Sequence, residues 1–245
     1  MLKKAIVVGA SSGIGAQLVL ELVNHGYKVV AMARREAHLA DLRNQLNTEE
    51  TRVWSFVHDV TASDSVASAF HAARETLDGV DLLVYAAGVM PSVGETEYDF
   101  EVDRQIMNVN LLGAMAWLDV GASHMMTQGT GTLVGIGSVA GDRGRRGNPA
   151  YCASKAGLHT YLEALRNRLD QHGVTVLTVK PGPVETPMTA DSEKLPMLIP
   201  VERAAAEILS AIQRGRREVY VPFQWRPIMA VIRAIPSVLF RRLDI

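Results

Sequence analysis

Near its N-terminus the chain reads Ala5-Ile-Val-Val-Gly9-Ala-Ser-Ser-Gly13-Ile-Gly15, an apolar run that leads into a glycine-rich turn. The run predicts a buried strand over residues 5–8, and a helix is predicted over residues 13–25. Glycines let the backbone turn sharply and approach phosphate oxygens, while free N–H groups at a helix start attract anions. This strand–turn–helix unit is therefore predicted to bind a dinucleotide pyrophosphate. The predicted binding residues are Gly9, Ser11, Ser12, Gly13, Ile14 and Gly15.

Apolar runs alternate with helical segments along the rest of the chain. Strands are predicted over residues 5–8, 28–32, 52–57, 82–86, 131–136, 174–179 and 218–221. Helices are predicted over residues 13–25, 35–46, 63–77, 99–127, 151–172 and 201–214. Strands that are apolar throughout indicate a parallel sheet covered on both faces. We therefore predict one α/β domain over residues 1–221, a Rossmann-like doubly wound parallel sheet of about seven strands with helices on both faces, and a tail over residues 222–245.

The composition excludes several classes of protein. Of the 245 residues, 48% are hydrophobic, enough for a large core, and the net charge of -1 gives no reason to expect a nucleic-acid partner. The single cysteine, Cys152, cannot form an internal disulfide, which is typical of a reducing compartment. The glycine motif follows Met1 too closely to leave room for a signal peptide. Since no stretch is long and charge-free enough to span a bilayer, we expect a soluble cytoplasmic protein.

The end of the second predicted strand indicates which dinucleotide is bound. Sites that prefer NAD place a carboxylate there to bind the ribose hydroxyls. This chain has Arg34 and Arg35 instead, and a guanidinium is suited to bidentate binding of phosphate. The pattern favours NADP(H) over NAD(H), the alternative being two solvated charges at a helix start. Asp59 and Val60, after the third strand, are predicted to contact the adenine ring, unless Asp59 only stabilises a turn.

Two side chains with acid–base chemistry share one predicted helix. Tyr151 and Lys155 are four residues apart, so they lie on one face, one turn apart. A nearby ammonium favours the phenolate and lowers a phenol pKa from its usual value of about 10. Such a tyrosine can donate or accept a proton for a carbonyl/alcohol pair. With Ser138 thirteen residues upstream and a dinucleotide site, the pair predicts a hydride-transfer enzyme.

In order and spacing, these residues resemble the short-chain dehydrogenase/reductase superfamily from about Lys3 to Val221. The matching elements are the glycine motif, Asp59-Val60, Ala87-Gly88, Val109-Asn110-Leu-Leu-Gly113, Ser138, Tyr151-x-x-x-Lys155 and Pro181-Gly182-x-Val184-x-Thr186. The catalytic residues that this resemblance implies are Asn110, Ser138, Tyr151 and Lys155. The further cofactor-binding residues that it implies are Ala87, Gly88, Lys155, Pro181, Gly182, Val184 and Thr186.

The resemblance also implies a role for each catalytic residue. Tyr151 protonates the carbonyl oxygen or, in the reverse reaction, deprotonates the alcohol, and Ser138 hydrogen-bonds the same oxygen. Lys155 lowers the pKa of Tyr151 and binds the nicotinamide ribose. Asn110 holds a water that links Lys155 to solvent. No metal ligand is among these residues.

The chain departs from the family pattern at the fourth strand and in the tail. The usual Asn-Asn-Ala-Gly is here Tyr85-Ala86-Ala87-Gly88, which removes two amides but no catalytic atom. The tail is apolar and rich in arginine, and Pro227 and Pro236 are predicted to divide it into two short helices at most. It resembles the C-terminal helices of some membrane-associated members, so peripheral membrane contact is one hypothesis. The favoured alternative is packing on its own domain or on a partner subunit.

The combined features predict an NADPH-dependent carbonyl reductase, reversible as an alcohol dehydrogenase. Apolar side chains at 187–188 and 195–199 predict a substrate lid and an apolar small-molecule carbonyl substrate, while Arg143, Arg145 and Arg146 offer the alternative of an anionic one. Other functions with the same fold are a 3-oxoacyl reductase and a noncatalytic NADP(H)-sensing protein. In this family the helices that carry Asn110 and Tyr151 commonly form a dimer interface, so a homodimer is predicted, with a tetramer as the alternative.

Overall fold

A computed structural model describes residues 2–47, 50–190 and 195–243. Within these ranges seven strands form one parallel sheet in the order β3-β2-β1-β4-β5-β6-β7. The strands are β1 Lys3–Val8, β2 Tyr27–Ala33, β3 Val53–Val57, β4 Leu82–Tyr85, β5 Gly131–Ile136, β6 Val174–Pro181 and β7 Glu218–Val221. Because β1 pairs with both β2 and β4, the strand order reverses beside it, and this is where open α/β sheets form their binding crevice.

Helices cover both faces of this sheet. They are α1 Gly13–Asn24, α2 Glu36–Leu46, α3 Val66–Leu77, α4 Phe100–Met107, α5 Gly113–Gln128, α6 Pro149–Leu169, α7 Val201–Gln213, α8 Trp225–Ala234 and α9 Ser237–Phe240. Alternate strand residues point to opposite faces: Ala5 and Val7 pack with α1, α2 and α7, whereas Ile6 and Val8 pack with α3, α5 and α6. The predicted doubly wound fold is confirmed.

The helix predicted over residues 99–127 is interrupted, which the sequence pattern did not indicate. A π-helical turn, Asn108–Leu112, separates α4 from α5. The Tyr85 hydroxyl donates a hydrogen bond to the Val109 carbonyl at 2.5 Å, so a buried donor outside the helix binds a carbonyl at the widened turn. A Cβ on Gly113 would lie 2.7 Å from the Tyr85 hydroxyl oxygen, so only glycine fits there. The tyrosine that replaces the family's asparagine therefore supports the turn that carries Asn110.

The tail forms two short helices, but only one of its two prolines separates them. Pro236 separates α8 from α9, as predicted, but Pro227 lies in the first turn of α8, where its missing N–H leaves no helical hydrogen bond unmade. One face of α8 packs on the domain, since Trp225 and Met229 contact Val139 and Tyr220. Across the three described ranges, no helix has the length and apolar content needed to cross a membrane.

The loop after Ser138 also binds the tail. The Arg143 guanidinium donates hydrogen bonds to the carbonyls of Ile232 and Ile235, both at 2.6 Å, and stacks 3.9 Å from the Phe240 ring centroid. Arg146 donates to the Arg241 carbonyl at 3.1 Å. These contacts bind carbonyls at the C-terminal ends of α8 and α9, where the last turn of a helix leaves acceptors available. They give both arginines a structural role, which weakens the hypothesis of an anionic substrate.

Candidate active site

At the glycine motif, the backbone that follows β1 lies in close contact with the backbone that follows β4. Gly9 has φ +91°, and a Cβ there would lie 2.3 Å from the Ala87 backbone nitrogen. A Cβ on Gly15 would lie 2.2 Å from the Gly9 carbonyl oxygen, so α1 starts directly against the turn. Gly13 has φ +55° and faces Thr186, whose Cγ2 would be 3.1 Å from an added Cβ. The turn and the loop that carries Thr186 therefore face each other.

Arg35 closes over this turn from the end of β2. Its guanidinium donates hydrogen bonds to the Ser11 hydroxyl at 2.8 Å and to the Ser12 hydroxyl at 2.6 Å. Arg34 points the other way and pairs with Asp59 at 3.8 Å. The two arginines are therefore not equivalent, and Arg35 is the one that reaches the glycine turn.

Asp59 forms a local turn after β3. Its Oδ1 accepts hydrogen bonds from the N–H of Thr61 at 2.9 Å and from the Thr61 hydroxyl at 2.8 Å. Burial would raise the Asp59 pKa, but these hydrogen bonds and the charge of Arg34 outweigh it, so the pKa is lowered. The alternative reading of Asp59 as a turn residue therefore has direct support, and the contact of Asp59 and buried Val60 with adenine stays a prediction.

Tyr151 is positioned by the first turn of α6. The side chain of Asn148 accepts a hydrogen bond from the Tyr151 N–H at 3.1 Å and donates one to the Pro91 carbonyl at 2.8 Å. This cap fixes where α6 begins and ties it to the loop after β4. Tyr151 and Lys155 are both buried, and the Lys155 Nζ lies 5.7 Å from the Tyr151 ring centroid. The predicted pair does share one buried face of the helix.

Asn110 is fully buried and joins three elements. Its Oδ1 accepts a hydrogen bond from the Val89 N–H at 2.8 Å, and its Nδ2 donates to the Val89 carbonyl at 2.9 Å and to the Ser154 hydroxyl at 3.2 Å. A Cβ on Gly88 would lie 3.4 Å from the Asn110 Oδ1 and 3.5 Å from the Lys155 Nζ. Asn110 and Lys155 therefore converge on Gly88.

Ser138 begins the short turn Val139–Gly141 after β5, and its hydroxyl accepts a hydrogen bond from the Ala140 N–H at 3.1 Å. Ala140 and Tyr151 belong to one buried cluster, so the turn packs against the start of α6. The four predicted catalytic residues thus converge where β4, β5 and α6 meet.

A family model described as short chain dehydrogenase matches residues 3–195. The chain belongs to the short-chain dehydrogenase family. An oxidoreductase of Myxococcus xanthus, described as uncharacterized, is 35% identical over 239 residues, which are 97% of this chain and 94% of the relative. The crystal structure of a short chain dehydrogenase from Burkholderia cenocepacia J2315 in complex with NADP matches with a TM-score of 0.82 and 28% identity, covering 98% of this chain and 97% of that one. A short-chain type dehydrogenase/reductase from Mycobacterium ulcerans matches with a TM-score of 0.81 and 25% identity, covering 89% and 87%.

Family membership makes this short-chain dehydrogenase an oxidoreductase that uses a nicotinamide cofactor and a small-molecule substrate. The residues of this chain fit such a cofactor, because two glycines leave open spaces that a side chain would fill. At Gly13 an added Cβ would enter the space between the start of α1 and Thr186, and at Gly88 it would enter the space beside Lys155. A dinucleotide has a central pyrophosphate that suits the first space and a nicotinamide ribose that suits the second.

The loop after β6 packs beneath the tail of this short-chain dehydrogenase. A Cβ on Gly182 would lie 1.9 Å from Trp225 Nε1, so the indole fills the place of a side chain. Val184 forms a bridge with Ile199, and the Thr189 hydroxyl donates to the Val184 carbonyl at 2.7 Å. These contacts order the loop around the predicted carboxamide residues Val184 and Thr186. Residues 191–194, between the two apolar parts of the predicted lid, lie outside the described ranges.

The titration of the Tyr151–Lys155 pair differs from the sequence-based expectation. Burial raises the pKa of Tyr151, and a hydrogen bond with Ser138 and the charge of Arg145 only partly oppose it. Burial lowers the pKa of Lys155 to about 8. The Lys155 ammonium donates instead to the Ile136 carbonyl at 2.9 Å. The pKa of Tyr151 is thus raised, not lowered as the helical spacing predicted, because desolvation of the phenol dominates.

Sequence reasoning missed a group of buried polar side chains behind Ser138. They are Asp142, His159, Lys180 and Tyr220, from the turn after β5, α6, β6 and β7 respectively. One signal was available, since His159 lies four residues after Lys155 on the same face of α6. Nothing in the spacing of the other three indicated that they meet, because they lie on different elements.

Proposed function

We propose that this protein reduces a carbonyl group to an alcohol with NADPH, reversibly. The observation that carries the proposal is the placement of Tyr151 and Lys155 on one buried face of α6, beside Ser138 and Asn110. When bound, the nicotinamide supplies the hydride. A tyrosine phenol is protonated at neutral pH, and burial raises the pKa of Tyr151 further, so this residue is suited to protonate the carbonyl oxygen.

The other residues hold the reacting groups in this proposal. Ser138 hydrogen-bonds the carbonyl oxygen and stabilises the negative charge that develops there. Lys155 binds the nicotinamide ribose beside Gly88, and Asn110 holds a water near the Lys155 ammonium. Val184 and Thr186 bind the carboxamide. Met188, whose Cε would lie 3.9 Å from a Cβ on Gly88, favours an apolar substrate.

Turnover with a panel of carbonyl compounds tests the reaction itself. Purified protein is mixed with ketones, aldehydes and 3-oxoacyl esters, with NADPH and NADH in parallel, and cofactor oxidation is followed. Turnover limited to 3-oxoacyl esters would replace the general carbonyl reductase by a 3-oxoacyl reductase. Binding of NADPH without turnover of any compound would favour the noncatalytic NADP(H)-sensing alternative. If neither cofactor bound, the proposed function would be wrong.

The preference for NADPH is assigned to Arg35. Arg35 follows the end of β2, the place where a carboxylate would favour NAD. Its guanidinium already reaches two hydroxyls of the glycine turn. A charge-assisted hydrogen bond is worth about 1.5 to 3 kcal/mol. We therefore expect Arg35→Ser to raise KM for NADPH about 10- to 100-fold and to leave KM for NADH within about twofold.

Arg43→Ser is the matched control, because Arg43 is an exposed arginine at the far end of α2. Its KM for NADPH is expected to equal that of the unmodified protein. An equal rise of both KM values in Arg35→Ser would contradict the assignment, since it would show a general role in shaping the turn. Steady-state kinetics with each cofactor decides between these results.

We also infer a homodimer formed through the helices that carry Asn110 and Tyr151, and a location in the cytoplasm. Leu112 and Met126, large apolar side chains on or next to α5, are left exposed in the single chain. Such side chains are often covered by a partner subunit. The free Cys152 suits a reducing compartment.

A second surface supports a peripheral membrane contact. The face of the tail that does not pack on the domain is apolar, with Phe223, Val231, Val238 and Leu239 each more than half exposed. Arginines flank these side chains at positions 226, 233, 241 and 242. We call these eight residues the tail surface. Exposed apolar side chains bordered by basic ones match the interface of an anionic bilayer, where both kinds of side chain are stabilised.

The tail surface predicts binding to anionic vesicles. The double variant Val231→Asp/Leu239→Asp is expected to lower partitioning into phosphatidylglycerol-containing vesicles at least about tenfold, because it removes apolar burial and adds like charge to an anionic surface. Val57→Asp, an exposed valine on β3, is the control and should bind as the unmodified protein does. Cosedimentation measures both. Equal binding by the double variant would place the membrane contact on another surface, and no binding by the unmodified protein would contradict a membrane contact.

A further inference from the structure

The imidazole of His159 occupies a space that two glycines leave open behind Ser138. A Cβ on Gly137 would lie 2.3 Å from the His159 Nε2, and one on Gly141 would lie 2.7 Å from its Cε1. These glycines bracket Ser138 and its turn, so the ring lies against the backbone on both sides of the serine. A ring enclosed in this way limits where the Ser138 backbone can move.

The hydrogen bonds of His159 define its tautomer. The backbone N–H of Ser138 donates to Nε2 at 3.4 Å, and Nδ1 lies 3.5 Å from the Asp142 Oδ1. A nitrogen that accepts from an N–H carries no proton itself. The proton of a neutral His159 is therefore on Nδ1, where it points to the Asp142 carboxylate.

Asp142 is in turn bound to the last two strands of the sheet. Its Oδ2 accepts a hydrogen bond from the Tyr220 hydroxyl at 2.6 Å, and its Oδ1 lies 3.0 Å from the Lys180 Nζ. Lys180 also pairs with Glu218 at 2.8 Å. The side chains of Asp142 and Lys180 are 3% and 7% exposed, so the pair is buried. The chain of contacts therefore runs from rigid strands through Asp142 and His159 to the backbone of Ser138.

We propose that His159 and Asp142 are positioning residues that fix the Ser138 backbone, and with it the hydroxyl that binds the substrate oxygen. The inference rests on the proposed carbonyl reduction, in which the Ser138 hydroxyl must be within hydrogen-bonding distance of that oxygen. Without the Nε2 acceptor, the Ser138 N–H loses its side-chain partner and the turn shifts. A displacement of about 1 Å at a reacting group lowers rates by about 100-fold.

The charge state of His159 makes this positioning sensitive to acid. The groups that face it are Asp142 on the turn, Lys180 on β6 with Glu218 and Tyr220 on β7 behind it, and Lys155 on its own helix. Burial lowers its pKa; the hydrogen bond with Asp142 acts against this, and the charges of Lys180 and Lys155 act with it. The ring is therefore neutral at pH 7. As pH falls through this lowered pKa, Nε2 gains a proton and opposes the Ser138 N–H, so kcat should fall.

Three variants test the role by activity. His159→Leu removes the acceptor and is expected to lower kcat about 10- to 100-fold, with KM for NADPH changed less than about threefold. His159→Gln offers a side-chain oxygen to the Ser138 N–H, so it should restore most of kcat and lose the acidic fall. His124→Leu is the matched control, because His124 is a partly buried histidine packed on Phe70 of α3, away from the site, and its kcat should be unchanged.

A measurement without substrate separates this inference from the proposed function. The ¹⁵N spectrum of the imidazole, assigned by its loss in His159→Gln, is expected to show a protonated Nδ1 and a bare Nε2 at pH 7. A protonated Nε2 at that pH, or full kcat in His159→Leu, would overturn the positioning role. If no carbonyl compound is turned over but the tautomer is as expected, the proposed reaction fails while the structural basis of the inference stands.

Discussion

Replacing Tyr151 with phenylalanine is expected to lower kcat for carbonyl reduction about 1000-fold, because the transferred proton loses its donor. The variant removes one oxygen and keeps the ring in its buried cluster with Ala140, so the fold should be retained. The cap from Asn148 binds the Tyr151 backbone N–H and not the phenol, so the start of α6 is unchanged. Affinity for NADPH, measured by fluorescence titration, should therefore stay within about twofold.

Tyr161→Phe is the control for this experiment. Tyr161 also lies on α6, but its hydroxyl binds the Asp119 carboxylate away from the Tyr151–Ser138 cluster. Full kcat is expected for it. Retention of more than about a tenth of kcat in Tyr151→Phe would assign the proton transfer to another group and remove the basis of the proposed mechanism.

The upward shift of the Tyr151 pKa adds a pH signature. A phenol whose pKa is raised stays protonated through neutral pH, which suits reduction. The oxidation direction needs the deprotonated form, so its rate should rise with pH over the alkaline range. Lys155, whose pKa is lowered to about 8 by burial, loses its charge over part of that range. Initial rates in both directions against pH would show this asymmetry.

The parts of the molecule that could be predicted from sequence are those set by local spacing. The apolar runs identified the strands, because strands buried on both faces leave no polar alternation. Tyr151 and Lys155 could be placed on one face from their four-residue separation alone. The glycine turn was predicted for the same reason, since its position between a strand and a helix is a local property.

The parts that could not be predicted depend on contacts between distant elements. The π-helical turn at Asn108–Leu112 requires the Tyr85 hydroxyl of β4 against the Val109 carbonyl, and helical periodicity carries no sign of this. The Tyr151 pKa was predicted in the wrong direction because the helical spacing shows Lys155 but not the burial of the phenol. The contact between Trp225 and Gly182 joins the tail to a loop that is 43 residues away in sequence.

The glycine motif meets a structural requirement that the sequence pattern did not show. Its glycines were expected to let the backbone approach phosphate oxygens. In the structure, Gly9 is also required by the protein's own backbone, because an added Cβ would lie 2.3 Å from the Ala87 nitrogen and 2.6 Å from its Cα. Both are backbone atoms just after β4, a central strand of the sheet, so they cannot move aside as a flexible side chain can. The Gly9 and Ala10 N–H groups also bind the Met32 carbonyl, at 2.8 and 3.0 Å.

Gly9→Ala is therefore expected to lower the free energy of unfolding by about 3 kcal/mol or more. Positive φ costs an alanine about 1 to 2 kcal/mol, and overpacking adds about 1 to 3 kcal/mol. Gly144→Ala is the control: nothing lies within 4 Å of its added Cβ, so it should change stability by less than about 0.5 kcal/mol. Urea denaturation measures both. If Gly9→Ala kept its stability and lost only NADPH affinity, phosphate approach alone would explain the glycine. Loss of stability without cofactor present would show that Gly9 is first a requirement of the contact between β1 and β4, on which the cofactor turn is then built.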